Sequence, residues 1–300
     1  MTDPLADLVD LIRPRAVFWK GMEAAGTWGI GFPATTDVNF AMVAQGRCCL
    51  TGFGPVLELA EGDFLLMCGP PAFALASAPG VPPADGEALL AASPDYQVRL
   101  GSGAADPVRL VGGHFILETA NADLLMGLLP RLSHLRGTDS GAGRIGRLLD
   151  LVGDEAAADR PGSSLVMPRL VEVVLVEALR STPSDTPPQG LLAGLHDPQI
   201  AAALRAVHAD VRRPWTVADL AATAHLSRSV FAQRFLLLVG TTPITYLLTW
   251  RMALAKDALT RGRPIDEVAR SVGYGSASAF SNAFHRVSGS RPGHYATTAG

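Results

Sequence analysis

One pattern occurs twice in the last third of this chain, and it restricts the fold more than any other feature of the sequence. Its first copy is Ala218-Asp219-Leu220-Ala221, then Ala224-His225-Leu226-Ser227, then Phe231 and Phe235. Its second copy is Asp266-Glu267-Val268-Ala269, then Val272-Gly273-Tyr274, then Phe280 and Phe284. Ala221 and Ala269 are 48 positions apart, as are Leu226 and Tyr274, whereas the phenylalanines are 49 apart. The second turn therefore carries one extra residue. A repeat of this length is one supersecondary unit used twice. The spacing within each copy is that of two short helices joined by a tight turn.

Local signals set the helix ends. Thr216, with Asp219 three residues on, caps a helix to Ala224. Ser227 caps the next helix, which runs to about Val239 and stops at Gly240. Thr242-Pro243 opens a long helix to Leu259, with proline at its first position. Pro264 opens a helix to Val272, and Ser276 caps Ala277 to about Val287 before Gly289. With Pro198–Ala209 and Pro292–Ala296, seven helices are predicted from 197 to 298.

Phenylalanine at i and i+4 anchors the second helix of each copy, in seams written Val230–Phe231–Arg234–Phe235 and Ala279–Phe280–Ala283–Phe284. The remaining faces, about 228–238 and 277–287, carry short, polar or basic residues near their N-termini. A helix entering the DNA major groove requires this, because bulk there holds the backbone away from base edges. Gln233 and Asn282 are the strongest base readers, since both amides can bond adenine in bidentate fashion. Arg228, Arg234, Arg251, Arg270, Arg286 and Arg291 are assigned to phosphate, which adds affinity without reading sequence. Exposed faces of an ordinary helical domain would look similar for one copy; two copies joined by a stiff helix disfavour that reading. The connector would hold the reading helices roughly one DNA turn apart, about 34 Å.

Charge agrees. The whole chain carries −3, but residues from Asp197 onward hold 12 Arg/Lys against 6 Asp/Glu, a net +6, and the preceding residues a net −9. A polyanion partner is expected for the C-terminal part alone. A 48% hydrophobic and 18% charged composition is that of a folded globular chain, and 300 residues suit two domains. The acidic N-terminus lacks the basic and apolar regions of a secretory signal. The longest uncharged stretch, Phe64 to Ala84, contains five prolines, so no membrane span is expected. Three cysteines without a pairing pattern favour the reducing cytoplasm.

Residues 197 to 298 resemble the DNA-binding domain of the AraC/XylS regulators. The carrying stretches are Trp215 to Ala221, Gly240 to Leu247, Trp250 to Ala255, the Val268–Phe284 pattern and Arg291-Pro292. The resemblance implies a bacterial transcription regulator, usually an activator that binds double-stranded promoter DNA and touches RNA polymerase. It places base contacts on Ser229, Ala232 and Gln233, and on Ser278, Ser281 and Asn282. His225 departs from the family, standing in the first turn where glycine is usual and a positive φ is required; a slightly strained turn is expected. The run Leu236-Leu237-Leu238 is more apolar than usual and is read as packing against the other domain.

Before the repeat, short β-type runs bounded by turn residues cover Thr27–Phe32, Val38–Ala44, Arg47–Thr51, Val56–Leu59, Asp63–Cys68 and Ala72–Ala76. Val108–Val111 and His114–Glu118 complete about eight strands, and residues 79–107 are read as a long surface loop. A short helix over Leu5–Ile12 opens the chain and ends at Pro14. The pattern argues for an antiparallel barrel or sandwich. Between Phe32 and Ser77 it resembles the cupin-type barrel that precedes this DNA-binding domain in many members, through Gln45-Gly46 and the Leu59, Gly62-Asp63 spacing. Helices are predicted at Ala122–Leu135, Gly143–Leu151 and Ser164–Leu179. The last is more apolar than one surface helix needs, which leaves a face for a second subunit. The resemblance also assigns these helices to a homodimer contact.

The expected fold is therefore multidomain, an all-β cupin-like barrel with following helices and an all-α double helix-turn-helix domain. Its divisions are a sensing barrel at 1–120, a helical dimerisation segment at 121–181, a linker at 182–196 and the DNA-binding domain at 197–298. The resemblance implies a small-molecule effector in the barrel, with Trp28, Phe32, Phe40 and Met42 as lining; core packing accounts for the same residues. Strand alternation buries Cys48 beside Leu50 and turns Cys49 to the other face beside Arg47. Cys48, Cys49 and Cys68 are either apolar filling or, through a lowered Cys49 pKa, an oxidant sensor. No catalytic residue, metal or cofactor is assigned. No histidine precedes His114, and His114 and His134 stand alone, so the clustered histidines of a metal-dependent cupin are missing. A barrel enzyme or small-molecule binding protein carrying a DNA-binding domain is the rival reading.

Overall fold

The structure is a computed structural model that describes residues 3–12, 14–93, 97–102, 107–117, 126–158, 160–181 and 189–298. The described residues fall into two compact units. One comprises the described residues within 14–117 and 131–187, and the other those within 1–13, 118–130 and 188–300.

Among the described residues the first unit holds eleven strands: β1 Pro14–Ala25, β2 Gly29–Phe32, β3 Val38–Gln45, β4 Arg47–Thr51, β5 Leu57–Ala60, β6 Phe64–Cys68, β7 Phe73–Ala76, β8 Ala84–Asp85, β9 Gln97–Gly101, β10 Val108–Leu117 and β11 Leu132–Leu135. They form a six-stranded sheet, in the order β11-β6-β3-β10-β1-β9, and a five-stranded sheet, in the order β5-β4-β7-β2-β8. Pairing is antiparallel except at β1–β9 and β2–β8. Alternation creates the core: Ala41, Val43, Leu65 and Met67 of one sheet and Ile30, Leu50 and Leu75 of the other join a single buried cluster. All five residues of β6 are buried, so this strand is covered on both faces. The face opposite that core carries Phe40, stacked with Phe64 and tilted against Phe115, with ring centroids 6.2 and 5.5 Å away.

Asp63 holds one end of this unit together. Its buried carboxylate accepts hydrogen bonds from the Ala60 amide at 3.1 Å, the Gly137 amide at 2.8 Å and His134 Nε2 at 2.9 Å. The Gly62-Asp63 turn and β11 are thereby joined. Helix α2 spans Gly86–Ala91, α3 Ser140–Ala158 and α4 Ser163–Arg180. Arg144 of α3 pairs with Glu177 of α4. On α4, Val174, Leu175 and Ala178 are buried, while Leu165, Val166 and Val173 are exposed.

Several sequence expectations give way here. β1, β8, β9 and α2 occupy segments read as loop or left unassigned, and Val108–Leu117 is one strand where two were expected. The helix expected over Ala122–Leu135 ends in strand β11; its residues 122–125 lie outside the described residues, as does Glu118. Leu132 and Leu135 fit a helical spacing, but the ladder with β6 decides their conformation.

In the second unit, α1 Pro4–Ile12 accompanies α5 Leu191–His196, α6 Pro198–Ala209, α7 Val217–Thr223, α8 Arg228–Val239, α9 Pro243–Thr260, α10 Ile265–Ser271, α11 Ala277–Ser288 and α12 Pro292–Thr298. The last seven match the predicted helices closely. The segment read as a linker contains α5, whose Leu191, Leu192 and Ala193 are buried; residues 182–188 lie outside the described residues. Helix α1 packs on α6 and α9. His208, whose side chain is wholly buried, sets its Nδ1 2.8 Å from Asp7 Oδ2 and its Nε2 2.7 Å from the Tyr246 hydroxyl. Trp250 lies against the same ring at 4.3 Å. A carboxylate only accepts, so Nδ1–H donates to Asp7 and Nε2 accepts from Tyr246. Burial pushes the His208 pKa down, opposed by Asp7 and Asp3. Among the described residues no single helix is long and apolar enough to cross a membrane.

Candidate nucleic-acid interface

The two repeat copies adopt the same local structure. In the first, Thr216 Oγ1 accepts from the Asp219 amide at 3.1 Å and Asp219 Oδ2 accepts from the Thr216 amide at 3.0 Å, a reciprocal cap on α7. The Thr216 hydroxyl, donating to Asp219 Oδ2 at 2.6 Å, and then the Thr216 amide hold the Asp219 carboxyl below its ordinary pKa. Ser227 caps α8 through the Val230 amide, and Ser276 caps α11 through the Ala279 amide. In the turns, Leu226 N–H donates to Ala221 O and Tyr274 N–H to Ala269 O, both at 2.9 Å. Each turn needs one residue at positive φ: His225 at 54° and Gly273 at 83°. His225 is the one non-glycine residue at positive φ among the described residues. Its side chain is exposed, whereas a Cβ at Gly273 would lie 2.5 Å from the Arg212 carbonyl oxygen.

Helix α9 carries both copies. Phe231 and Phe235 are buried in α8, their rings 5.6 Å apart, and Phe235 meets Tyr246 of α9 edge-on. Phe280 and Phe284 are buried in α11 with rings 5.5 Å apart, in a cluster with Met252, Ala255 and Leu259 of α9. At 1.5 Å per residue, the 18 residues of α9 span about 27 Å. The rod is therefore part of both cores, which fixes the two second helices relative to each other.

Opposite these seams, Ser229 and Gln233 on α8 and Ser278 and Asn282 on α11 are exposed, with Ala232 and Ser281 half-buried. All six residues named as base readers lie away from the cores. Val230 and Arg234 were expected in the first seam, but both are exposed, because Phe231, Phe235 and Val239 complete the buried stripe alone. Leu236 and Leu237 are exposed as well, and Leu238 is half-buried.

The six arginines separate. Arg228, Arg270, Arg286 and Arg291 are exposed. Arg234 bonds Asp197 Oδ2 at 2.5 Å and Gln199 Oε1 at 2.8 Å, which ties α8 to the start of α6. Arg251 is half-buried, with Nε donating to Val211 O at 2.9 Å and a terminal nitrogen to Arg213 O at 2.8 Å. Its guanidinium is committed to bracing the loop before α7, so the expectation of a phosphate ligand is corrected to a structural brace. Arg213, which sequence reasoning passed over, lies 4.1 Å above the Trp215 ring and is exposed beside α7. The Arg213-Pro-Trp215 spacing was the available signal.

The signals proposed for the β unit also separate. Phe32 and Phe40 line a cavity of about 280 Å³ with Phe73, Met67, Asp37 and His114. Met42 borders a different, more polar cleft of about 690 Å³ with Arg99, Arg109, Asp150 and Asp154, and Trp28 is packed in the core. Cys48, Cys49 and Cys68 are all buried and free. Burial raises all three thiols, Cys48 and Cys68 to about 12, and the Cys49 thiol lies 3.4 Å from Ala76 O as a donor. The lowered Cys49 pKa required of an oxidant sensor is therefore corrected to a raised one, and apolar filling accounts for the cysteines.

The chain matches the family described as Cupin over residues 3–183 and the helix-turn-helix domain family over 220–298. It is 39% identical to an AraC-like transcription regulator of Streptomyces lividans, across 98% of this chain and 97% of that protein. It is 38% identical to another of Streptomyces antibioticus, across 98% of each. Over 57% of each chain it is 36% identical to the transcriptional regulator AlkR of Acinetobacter baylyi. With a cupin-like β unit and a double helix-turn-helix unit whose caps, buried phenylalanine pairs and connector are in place, the chain belongs to the family of AraC-like transcription regulators.

Proposed function

We propose that this regulator reads promoter DNA through two successive major grooves. Ser229, Ala232 and Gln233 face one groove, and Ser278, Ser281 and Asn282 the next. The observation that carries this is the shared rod: α9 is built into both cores, so the two faces have one fixed spacing. Arg228, Arg270, Arg286 and Arg291 take phosphate contacts, joined by Arg213; Arg234 does so only by sharing its pairing with Asp197. Asn282→Ala or Gln233→Ala should cost about 1–3 kcal/mol on the selected site and relax one position. Equal losses on selected and random DNA would refute base reading.

The β unit, in this proposal, senses a small molecule and performs no reaction. The support is the cavity at Phe32, Phe40 and Phe73, mostly apolar with a few polar groups at Asp37, Asn39 and His114. Homodimerisation is assigned to the exposed apolar face of α4, and activation to contact with RNA polymerase in the cytoplasm. Light scattering should give a dimer, and Leu165→Glu with Val173→Glu a folded monomer; an unchanged dimer would refute that face.

A further inference from the structure

The two reading faces are built in the same register but from different chemistry. Positions 49 apart occupy equivalent places on α8 and α11, as Phe231/Phe280 and Phe235/Phe284 establish. Gln233 and Asn282 then stand at the centres of the two faces, opposite the buried stripes, with Ser229 and Ser278 one turn before them. The flanking positions differ. On α11 they hold Ala279, His285 and Arg286, all exposed. On α8 the same positions hold Val230, Leu236 and Leu237, exposed by 49%, 47% and 67%. Among the described residues, α11 exposes no large apolar side chain, whereas three of the nine in the chain lie on α8.

We infer that the first reading helix recognises thymine C5-methyl groups through Val230, Leu236 and Leu237, bracketing an adenine contact by Gln233. The inference rests on the groove-reading assignment above and names what one half of it selects. Leaving three large apolar side chains in water on a face centred on Gln233 is unfavourable unless that face is covered when bound. The thymine methyl is the one apolar group on a base edge in the major groove. Val230 and Leu237 lie about 10 Å apart along the helix, within the reach of neighbouring base pairs. The second helix, with Asn282, His285 and Arg286, reads by hydrogen bonds and charge. The first half-site is thus A·T-rich and methyl-dependent, and the second is not.

The test uses the full chain on an operator obtained by in vitro selection. Each thymine is replaced in turn by deoxyuridine, which removes only the methyl group, and affinity is measured by competition. Replacement in the first half-site should weaken binding about fourfold per contacted methyl, the effect of exposing one CH2-sized group. Replacement in the second should change it less than twofold. Val230→Ala and Leu237→Ala should lower affinity and abolish the deoxyuridine effect. Both half-sites protected, with deoxyuridine neutral throughout, would overturn the methyl inference while leaving groove reading intact. Failure to select any sequence would overturn both. If Leu236→Ala with Leu237→Ala kept affinity and methyl sensitivity but lost transcription with RNA polymerase, those two leucines would face a protein partner, and their assignment here would be overturned.

Discussion

The turn at His225 offers a quantitative test of how the repeat copies are built. Both turns need a left-handed residue, yet one has glycine and the other histidine. The left-handed region costs a non-glycine residue about 1–2 kcal/mol, and glycine returns roughly half of that through the freedom it adds to the unfolded chain. His225→Gly is therefore expected to stabilise the helical unit by about 0.5–1 kcal/mol, or roughly 2–5 °C for a unit of this size. Gly273→Ala should act in the opposite direction and more strongly. It meets the same backbone penalty, and its Cβ would also lie 2.5 Å from Arg212 O and 2.9 Å from Arg212 Cα. A loss of about 2–4 kcal/mol follows from strain and displaced backbone together. Thermal unfolding of the full chain measures both, and hydrogen–deuterium exchange of the α8 and α11 amides assigns the change to this unit. A destabilised His225→Gly, or a neutral Gly273→Ala, would refute the reasoning.

Other outcomes follow from the placement of charges. Arg286→Ala should weaken binding to selected and random DNA alike and reduce the salt slope by about 1, as read from affinity at several salt concentrations. Arg251→Ala should instead lower thermal stability by about 2–4 kcal/mol, because the Val211 and Arg213 carbonyls lose charged donors. The His208 pKa is depressed in the folded protein below its ordinary 6.5, so its contribution is present above that pH and lost as pH falls below it. Urea unfolding from pH 8 to pH 5 should show this loss, and His208→Gln should flatten it.

The helical unit was legible because its signals are local. Thr216, Ser227 and Ser276 each cap the helix that follows, Gly240 and Gly289 end helices, and the paired phenylalanines define the buried stripes. The faces away from the cores follow from those stripes once the register is known, and the six positions that the family resemblance implies as base readers lie on them. What sequence could not give were the uses of side chains by distant backbone. Arg251 has the charge of a phosphate ligand, but the carbonyls it serves are 38 and 40 residues away. The β unit was less legible for the same reason. β11 has a spacing that suits a helix and becomes a strand only beside β6, and β8, α2 and β9 lie in or beside a Pro- and Ala-rich stretch that resembles loop. Cys49 alternates to the expected face, yet that face is buried too, which no local pattern reveals.

The proposed function requires two reading helices that engage one face of DNA a single turn apart. Footprinting of the full-length protein on its selected operator tests this directly. Two protected major-groove patches about 10 base pairs apart are predicted, with one base position losing its preference in the patch nearer α11 for Asn282→Ala and in the patch nearer α8 for Gln233→Ala. A single protected patch, or two on opposite faces of the duplex, would contradict it.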